Sequence, residues 1–409
     1  MKDILVIGGG AAGMLASAIA AENGAHVLLL ERNDRLGKKL RITGKGRCNL
    51  TNQCTVAEFI ENIPTGGRFL YSALNAFTPG DAIELFESLG VPLKTERGNR
   101  VFPQSDSAAD IVSALCRYMN NTGVEQKRGR VQGLVTENGR LTGVNATCGE
   151  IKCDAAILAT GGMSYSATGS TGDGYKLANA LGHTITPLRG SLVPLEAEQG
   201  ICGRMQGLTL KNVLISVFNG NGKIIFKDFG EILFTHFGLS GPLALSASAH
   251  MREFGSEKYH VDIDLKPALD EKKLDLRIQR DFEKYSNRDF NNALGDLLSR
   301  LIIPVVVERS GIPPELKVHS VTREQRMKLV RLIKSFRIDI IGPRPVEEAI
   351  MTSGGVSLLE INPKTMESKL IKGLFFAGEI IDADAYTGGF NLQIAWSTAF
   401  AAGRAAAGT

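Results

Sequence analysis

The sequence predicts an α/β protein. A parallel sheet drawn from both chain ends is interrupted by an antiparallel β module, and that module by helices. Three observations predict it. Residues 2–7 (KDILVI), 11–23 (AAGMLASAIAAEN) and 26–31 (HVLLLE) read as strand, helix and strand, the unit of a parallel sheet. Between 190 and 264 the text is short β segments: SLVPLE, NVLISVFN, KIIFKDF, EILFTHF and KYHVDIDL. Turn residues such as Asn219-Gly220-Asn221-Gly222 separate them. From 268 to 333 the chain becomes charged and helical, and it then returns through FRIDIIG. The expected division is residues 1–189 with 352–409, residues 190–266 with 334–351 as a small antiparallel sheet or barrel, and residues 267–333 as a helical subdomain.

The remaining elements follow in order. Helices are expected at 68–76, 79–89 and 107–121, with Pro79 well suited to a first helical position. VEQKRGRVQGLVTENGRLTGVNAT reads as three short strands with Asn138-Gly139 as a hairpin turn. AAILAT at 155–160 is a buried strand, and residues 172–181 are helical. The C-terminal text, GLFFAGEIIDADAYTGGFNLQIAWSTAFAAGRAA, is a strand, a loop and a long small-residue helix.

Composition narrows the function. In 409 residues, 47 Lys and Arg face 43 Asp and Glu, for a net charge of +4. That balance argues against nucleic acid or an anionic membrane as the main partner. No apolar run is long enough to span a bilayer, and the N-terminus runs straight into a strand rather than a secretory signal. The six cysteines form no C-x-x-C pair, and no His/Cys cluster has metal-ligand spacing. A reducing, cytoplasmic compartment is expected, with no metal.

The 46 glycines cluster, and the clusters point to chemistry. Gly8-x-Gly10-x-x-Gly13 follows a strand and opens a helix. Gly8 permits a tight turn, Gly10 lets a pyrophosphate approach the backbone, and Gly13 lets helix and strand pack closely. Glu31 closes the second strand where a carboxylate accepts ribose hydroxyls. This is a Rossmann-like dinucleotide site, open so far to NAD or FAD. The later clusters favour FAD. Thr160-Gly161-Gly162 and Gly378-Glu379 each follow a buried strand, and GGFNLQ at 388–393 opens a helix whose N-terminal amides suit the edge of a flavin. Residues 37–52, GKKLRITGKGRCNLTN, place Lys38, Lys39, Arg41, Lys45 and Arg47 beside that site. Cys48 is a weak candidate for a redox thiol.

VIGGGAAG, RITGKGRCNLTN, ATGGMSYSATGSTGDGYKLANALGH, EILFTHFGLSGP, TSGGV and FAGEIIDADAYTGGFNLQIAW together resemble the BaiN-like bacterial flavoproteins, a family with aminoacetone oxidases and bile-acid enone reductases. The resemblance covers essentially the whole chain. It implies a two-dinucleotide-binding-domain flavoprotein fold, an FAD domain interrupted by a β-barrel-like domain with a helical subdomain. It implies pyrophosphate contacts from Gly8, Gly10, Ala12 and Gly13, and adenosine contacts from Glu31, Arg32, Val131, Thr160 and Gly161. Lys39, Thr43, Gly44, Arg47, Cys48 and Asn49 are expected along the flavin side. Gly378, Glu379 and Asp382 are expected at the ribityl and phosphate region, and Gly389, Asn391 and Leu392 at the isoalloxazine ring. The ATGG…GSTGDG segment is also similar to the flavin subunit of fumarate reductases.

The expected reaction is hydride transfer at flavin N5 to a small organic molecule. NAD(P)H is the expected transient donor and an enone or carbonyl the acceptor; an amine oxidase using O2 is the alternative. An RNA-modifying or a non-catalytic flavin protein is the alternative from other classes. His236, Tyr165 and Tyr386 are the candidate proton donors.

Overall fold

Strand Asp3–Ile7 is the middle of five parallel strands, ordered Leu374–Phe376, Ala155–Leu158, Asp3–Ile7, His26–Glu31, Glu125–Arg128. Ile4 to Ile7 are all buried, as expected of a strand covered on both faces. The computed structural model describes residues 1–198 and 200–409. The chain divides into Met1–Ser191 with Val346–Thr409, and Leu192–Pro345.

In the first unit, helices Ala11–Glu22 and Phe390–Ala407 lie side by side. Small residues make this possible: a Cβ on Gly403 would fall 2.8 Å from Ala16 O and 3.1 Å from Ile19 Cβ. Near the other end Gly378 bridges Ala12 and Ala395, so contacts climb both helices in the same sense. The helices are therefore parallel and their N-termini share one end.

The hairpin at Asn138-Gly139 forms with both residues at positive φ, +49° and +73°, the geometry of a type I′ turn. The first expected strand of that meander is elsewhere. Glu125–Arg128 pairs with His26–Glu31 as the edge of the parallel sheet, and Gly149–Lys152 supplies the third antiparallel strand. A small third sheet joins Thr51–Asn52, Arg100–Pro103 and Leu93–Glu96.

The second unit contains a closed barrel of six strands: Leu195–Ala197, Gly238–Ser240, Ile224–Phe234, Thr209–Phe218, Tyr259–Asp264 and Phe336–Pro343. Alternate residues Val213, Ile215, Val217, Val261, Ile263, Ile338 and Ile340 are buried. They share one hydrophobic core with Leu274, Ile278, Leu329 and Ile333 of helices Glu271–Lys284 and Arg323–Lys334. KIIFKDF and EILFTHF prove to be one strand, because Gly230 stays paired with Val213 at a register shift. Helix Gly241–Ser248, with proline in its first turn, interrupts the β segments there and was not read from the sequence. Among the described residues no helix is long and apolar enough to cross a membrane.

Candidate cofactor site

The turn after the first strand has the backbone its glycines suggest. Gly8 sits at φ +108°, and a Cβ there would lie 2.5 Å from Ala159 O. A Cβ on Gly13 would overlap the carbonyl oxygen of Gly8. Gly10 differs: a Cβ there meets nothing within 4 Å. Its side is open, as a cradle for a bulky phosphate requires. The amides of Gly10, Ala11 and Ala12 find no acceptor among the described residues. Glu31 braces the turn: Oε2 accepts the Gly9 N–H at 2.6 Å and Oε1 the Asn33 N–H at 2.7 Å. Each oxygen keeps a further lone pair for a ribose hydroxyl.

Around the expected adenosine side, Arg32 donates to Thr171 Oγ1 (2.7 Å) and Asp173 Oδ2 (2.9 Å). Arg130 grips the same carboxylate at 3.0 and 3.1 Å. Asp173 went unnoticed in the sequence, although an acidic residue in a helix's first turn is a known signal. Thr160 Oγ1 is buried without a partner, and Gly161 takes φ +73°. Val131 opens the hairpin at a register shift against Ala146.

The late strand Leu374–Phe376 ends at Gly378, at φ +77°, where a Cβ would fall 2.8 Å from Ala12 Cβ. Gly378 N–H donates to Thr398 Oγ1 at 3.0 Å. Glu379 is already well partnered. Lys39 Nζ donates to Oε2 at 2.6 Å, while Ser164 Oγ and the Thr352 N–H both donate to Oε1 at 2.9 Å. Ser164 and Thr352 were missed as site residues; the second lies in the TSGGV run, whose small polar residues were the available clue.

The basic loop is a run of left-handed residues: Gly44, Lys45, Gly46 and Cys48 at φ +61°, +59°, +86° and +61°. Thr43 closes it, its carbonyl accepting the Cys48 N–H at 2.9 Å and its hydroxyl donating to Lys39 O at 3.0 Å. The Cys48 thiol is fully buried, and burial pushes it up to about 12. A redox role for it has no support in this setting. The Arg47 guanidinium turns to Glu96 and Asp106 and packs 4.2 Å from the Phe102 ring centre. With its side-chain amide assigned so that oxygen faces the Gly389 N–H (2.9 Å) and nitrogen faces Thr51 O (3.2 Å), Asn49 bridges the two.

Gly389, at φ +98°, opens the C-terminal helix, and a Cβ there would overlap Thr51 O. The amides of Phe390, Asn391 and Leu392 have no acceptor among the described residues. The Asn391 side chain folds back: Oδ1 accepts the Ala385 N–H at 2.9 Å and Nδ2 donates to Ala385 O at 2.7 Å. Only its backbone faces the helix end. Leu392 packs against the core, and the Asp382 N–H donates to Val356 O at 3.1 Å.

Of the candidate proton donors, Tyr165 is exposed in a left-handed conformation, φ +53°, with Lys39 Nζ 6.0 Å from its ring centre. A bulky residue there is a strained outlier. Tyr386 N–H donates to Asn62 O at 3.0 Å. His236 is exposed in the second unit, edge-on to Phe237 at 5.0 Å.

The structure thus gathers the turn, the late strand and the basic loop into one unit with two open helix N-termini, which fits an extended flavin dinucleotide. Comparisons with known proteins agree. The profile of the HI0933-like protein Rossmann domain matches residues 2–405. The chain is 31% identical to the 3-dehydro-bile acid delta(4,6)-reductase of Clostridium scindens, covering 100% of this chain and 99% of that protein. It is 30% identical to the ribosomal RNA dihydrouridine synthase of Escherichia coli, covering 98% and 96%. Its fold matches 3-ketosteroid delta1-dehydrogenase from Sterolibacterium denitrificans with a TM-score of 0.55, 13% identity and 99% of each chain covered. The chain belongs to the HI0933-like Rossmann family of FAD-dependent oxidoreductases.

Proposed function

We propose that this protein saturates a carbon–carbon double bond conjugated to a carbonyl in a small molecule, with NADH or NADPH as the electron source. One observation carries the reading: the open N-termini of helices Ala11–Glu22 and Phe390–Ala407 lie at one end, bridged by Gly378. FAD, when bound, supplies hydride transfer at flavin N5.

The chain's own residues do the rest. The amides of Gly10 to Ala12 and the open side of Gly10 fit a diphosphate. Glu31 fits the adenosine ribose. With FAD bound, the amides of Phe390 to Leu392 would offer partial positive charge to a flavin edge, which gains negative charge on reduction. Tyr165, beside Lys39, is our candidate to deliver a proton to the carbon α to the substrate carbonyl.

The substrate class draws support from the relatives' names. A 3-oxo steroid with double bonds at positions 4 and 6 and a uracil ring share one feature, an alkene conjugated to a carbonyl. The net charge of +4 favours the small molecule. Uracil within ribosomal RNA is the second reading, favoured by the name of the Escherichia coli relative.

The test is anaerobic flavin bleaching. NADH or NADPH is expected to bleach the flavin, and a conjugated enone to restore its colour. Restoration by a ribosomal RNA fragment alone selects the second reading. Bleaching by an amine and by neither nicotinamide contradicts both and supports an oxidase.

A further inference from the structure

Asp384 is fully buried and belongs to none of the cofactor contacts above. Its two oxygens are held separately. Ser191 Oγ donates to Oδ2 at 2.6 Å, and Ser353 Oγ donates to Oδ1 at 2.9 Å. These serines sit on a pair of antiparallel strands, Arg189–Ser191 and Met351–Ser353. The strands adjoin the points where the chain leaves the first unit, after Ser191, and re-enters it, at Val346. Both chain crossings are therefore tied to one carboxylate.

Strand alternation sends the next side chain the other way. Thr352 Oγ1 accepts the amides of Met163 at 2.7 Å and Ser164 at 3.2 Å, beside Glu379. The crossover thus reaches the Lys39–Glu379 pair through Thr352 and Asp384 through Ser353.

Asp384 leads directly into the expected flavin edge. Its neighbour Ala385 is held through both its N–H and its carbonyl by Asn391, the second residue of the C-terminal helix. A buried carboxylate is retained in a core only against a desolvation cost, so its placement at this junction calls for a reason.

We propose that Asp384 is a positioning residue for the flavin. It fastens the loop that sets the first turn of the C-terminal helix to the crossover strands. A displacement of the crossover then reaches the amides of Phe390 to Leu392. The proposal deepens the functional reading above and rests on the flavin edge lying at that turn.

The test compares the full-length wild type with Ser191→Ala, Ser353→Ala and Asp384→Asn. Hydrogen exchange is measured with and without FAD, and the flavin midpoint potential is measured in the loaded proteins. Exchange in residues 385–391 is expected to quicken about tenfold in each serine variant, the effect of losing one hydrogen bond to a charged group. Neither serine lies in that loop. The midpoint is expected to move in the same direction in all three variants. Unchanged loop exchange and an unchanged midpoint in both serine variants would overturn the proposal. If Asp384→Asn does not fold, the serine variants still decide. The FAD-free exchange reads the connection alone, so a failure of the cofactor reading is separable from a failure of this one.

Discussion

Lys39 Nζ lies 2.6 Å from Glu379 Oε2, joining residues 340 positions apart. The side chains are 24% and 10% exposed, so the pair is shielded from solvent. Removing the cation leaves a poorly hydrated carboxylate. Lys39→Met is expected to cost about 2 kcal/mol of unfolding free energy, below the 3–5 range for fully buried pairs. Urea titration measures it. Lys38→Met, which breaks the exposed Lys38–Asp34 pair, is the control and should cost under about 0.5 kcal/mol.

His183 is buried, with Nδ1 3.2 Å from Glu360 Oε2 and Nε2 2.9 Å from Ser368 Oγ. Ser368 Oγ also accepts the amides of Leu370 and Ile371 at 3.0 and 2.9 Å. Its lone pairs are used, so its proton goes to Nε2 and His183 is neutral with Nδ1 protonated. Burial holds its pKa below the ordinary 6.5, against the pull of Glu360. A pKa lowered on folding means the unfolded chain binds the proton first as pH falls. The resulting stability is complete above about pH 6.5 and fades as pH drops through that value toward the lower folded one. Thermal midpoints of wild type and His183→Gln should therefore converge between pH 7.5 and 5. A constant gap would remove His183 as the cause.

Burial pushes Cys48, Cys153 and Cys202 each up to about 12, and thiolate is what alkylates. Iodoacetamide at neutral pH should spare these three in the native protein and label the half-buried Cys116 and Cys148 first. Mass spectrometry reads the order. Cys48→Ala should keep flavin bleaching by nicotinamide, and its loss would restore a redox role to Cys48.

Much of the first unit was legible because its signals are local. Strand, glycine turn and helix stand together in residues 2–23, and Glu31 and Gly389 announce themselves by position. What stayed hidden is non-local. Glu125–Arg128 has the same local text whether it joins a meander or a parallel edge; His26–Glu31 decides. The barrel closes by pairing Leu195–Ala197 with Phe336–Pro343, a match no window of sequence contains. The family motif implied Arg47 along the flavin, and nothing local announced its ion pairs with Glu96 and Asp106 across the third sheet. Asp384 carries no signal at all. Its partners Ser191 and Ser353 lie 193 and 31 positions away.

The central claim is that the turn at Gly10 receives the diphosphate of FAD. Gly10→Ala separates this from stability, because φ −84° suits alanine and its Cβ meets nothing within 4 Å. FAD titration and thermal melting of the wild type and this variant form the direct measurement. The account predicts an unaltered melt without FAD and at least about a tenfold loss of FAD affinity. Equal affinity in the two proteins, or a wild type that takes up no FAD, would contradict it.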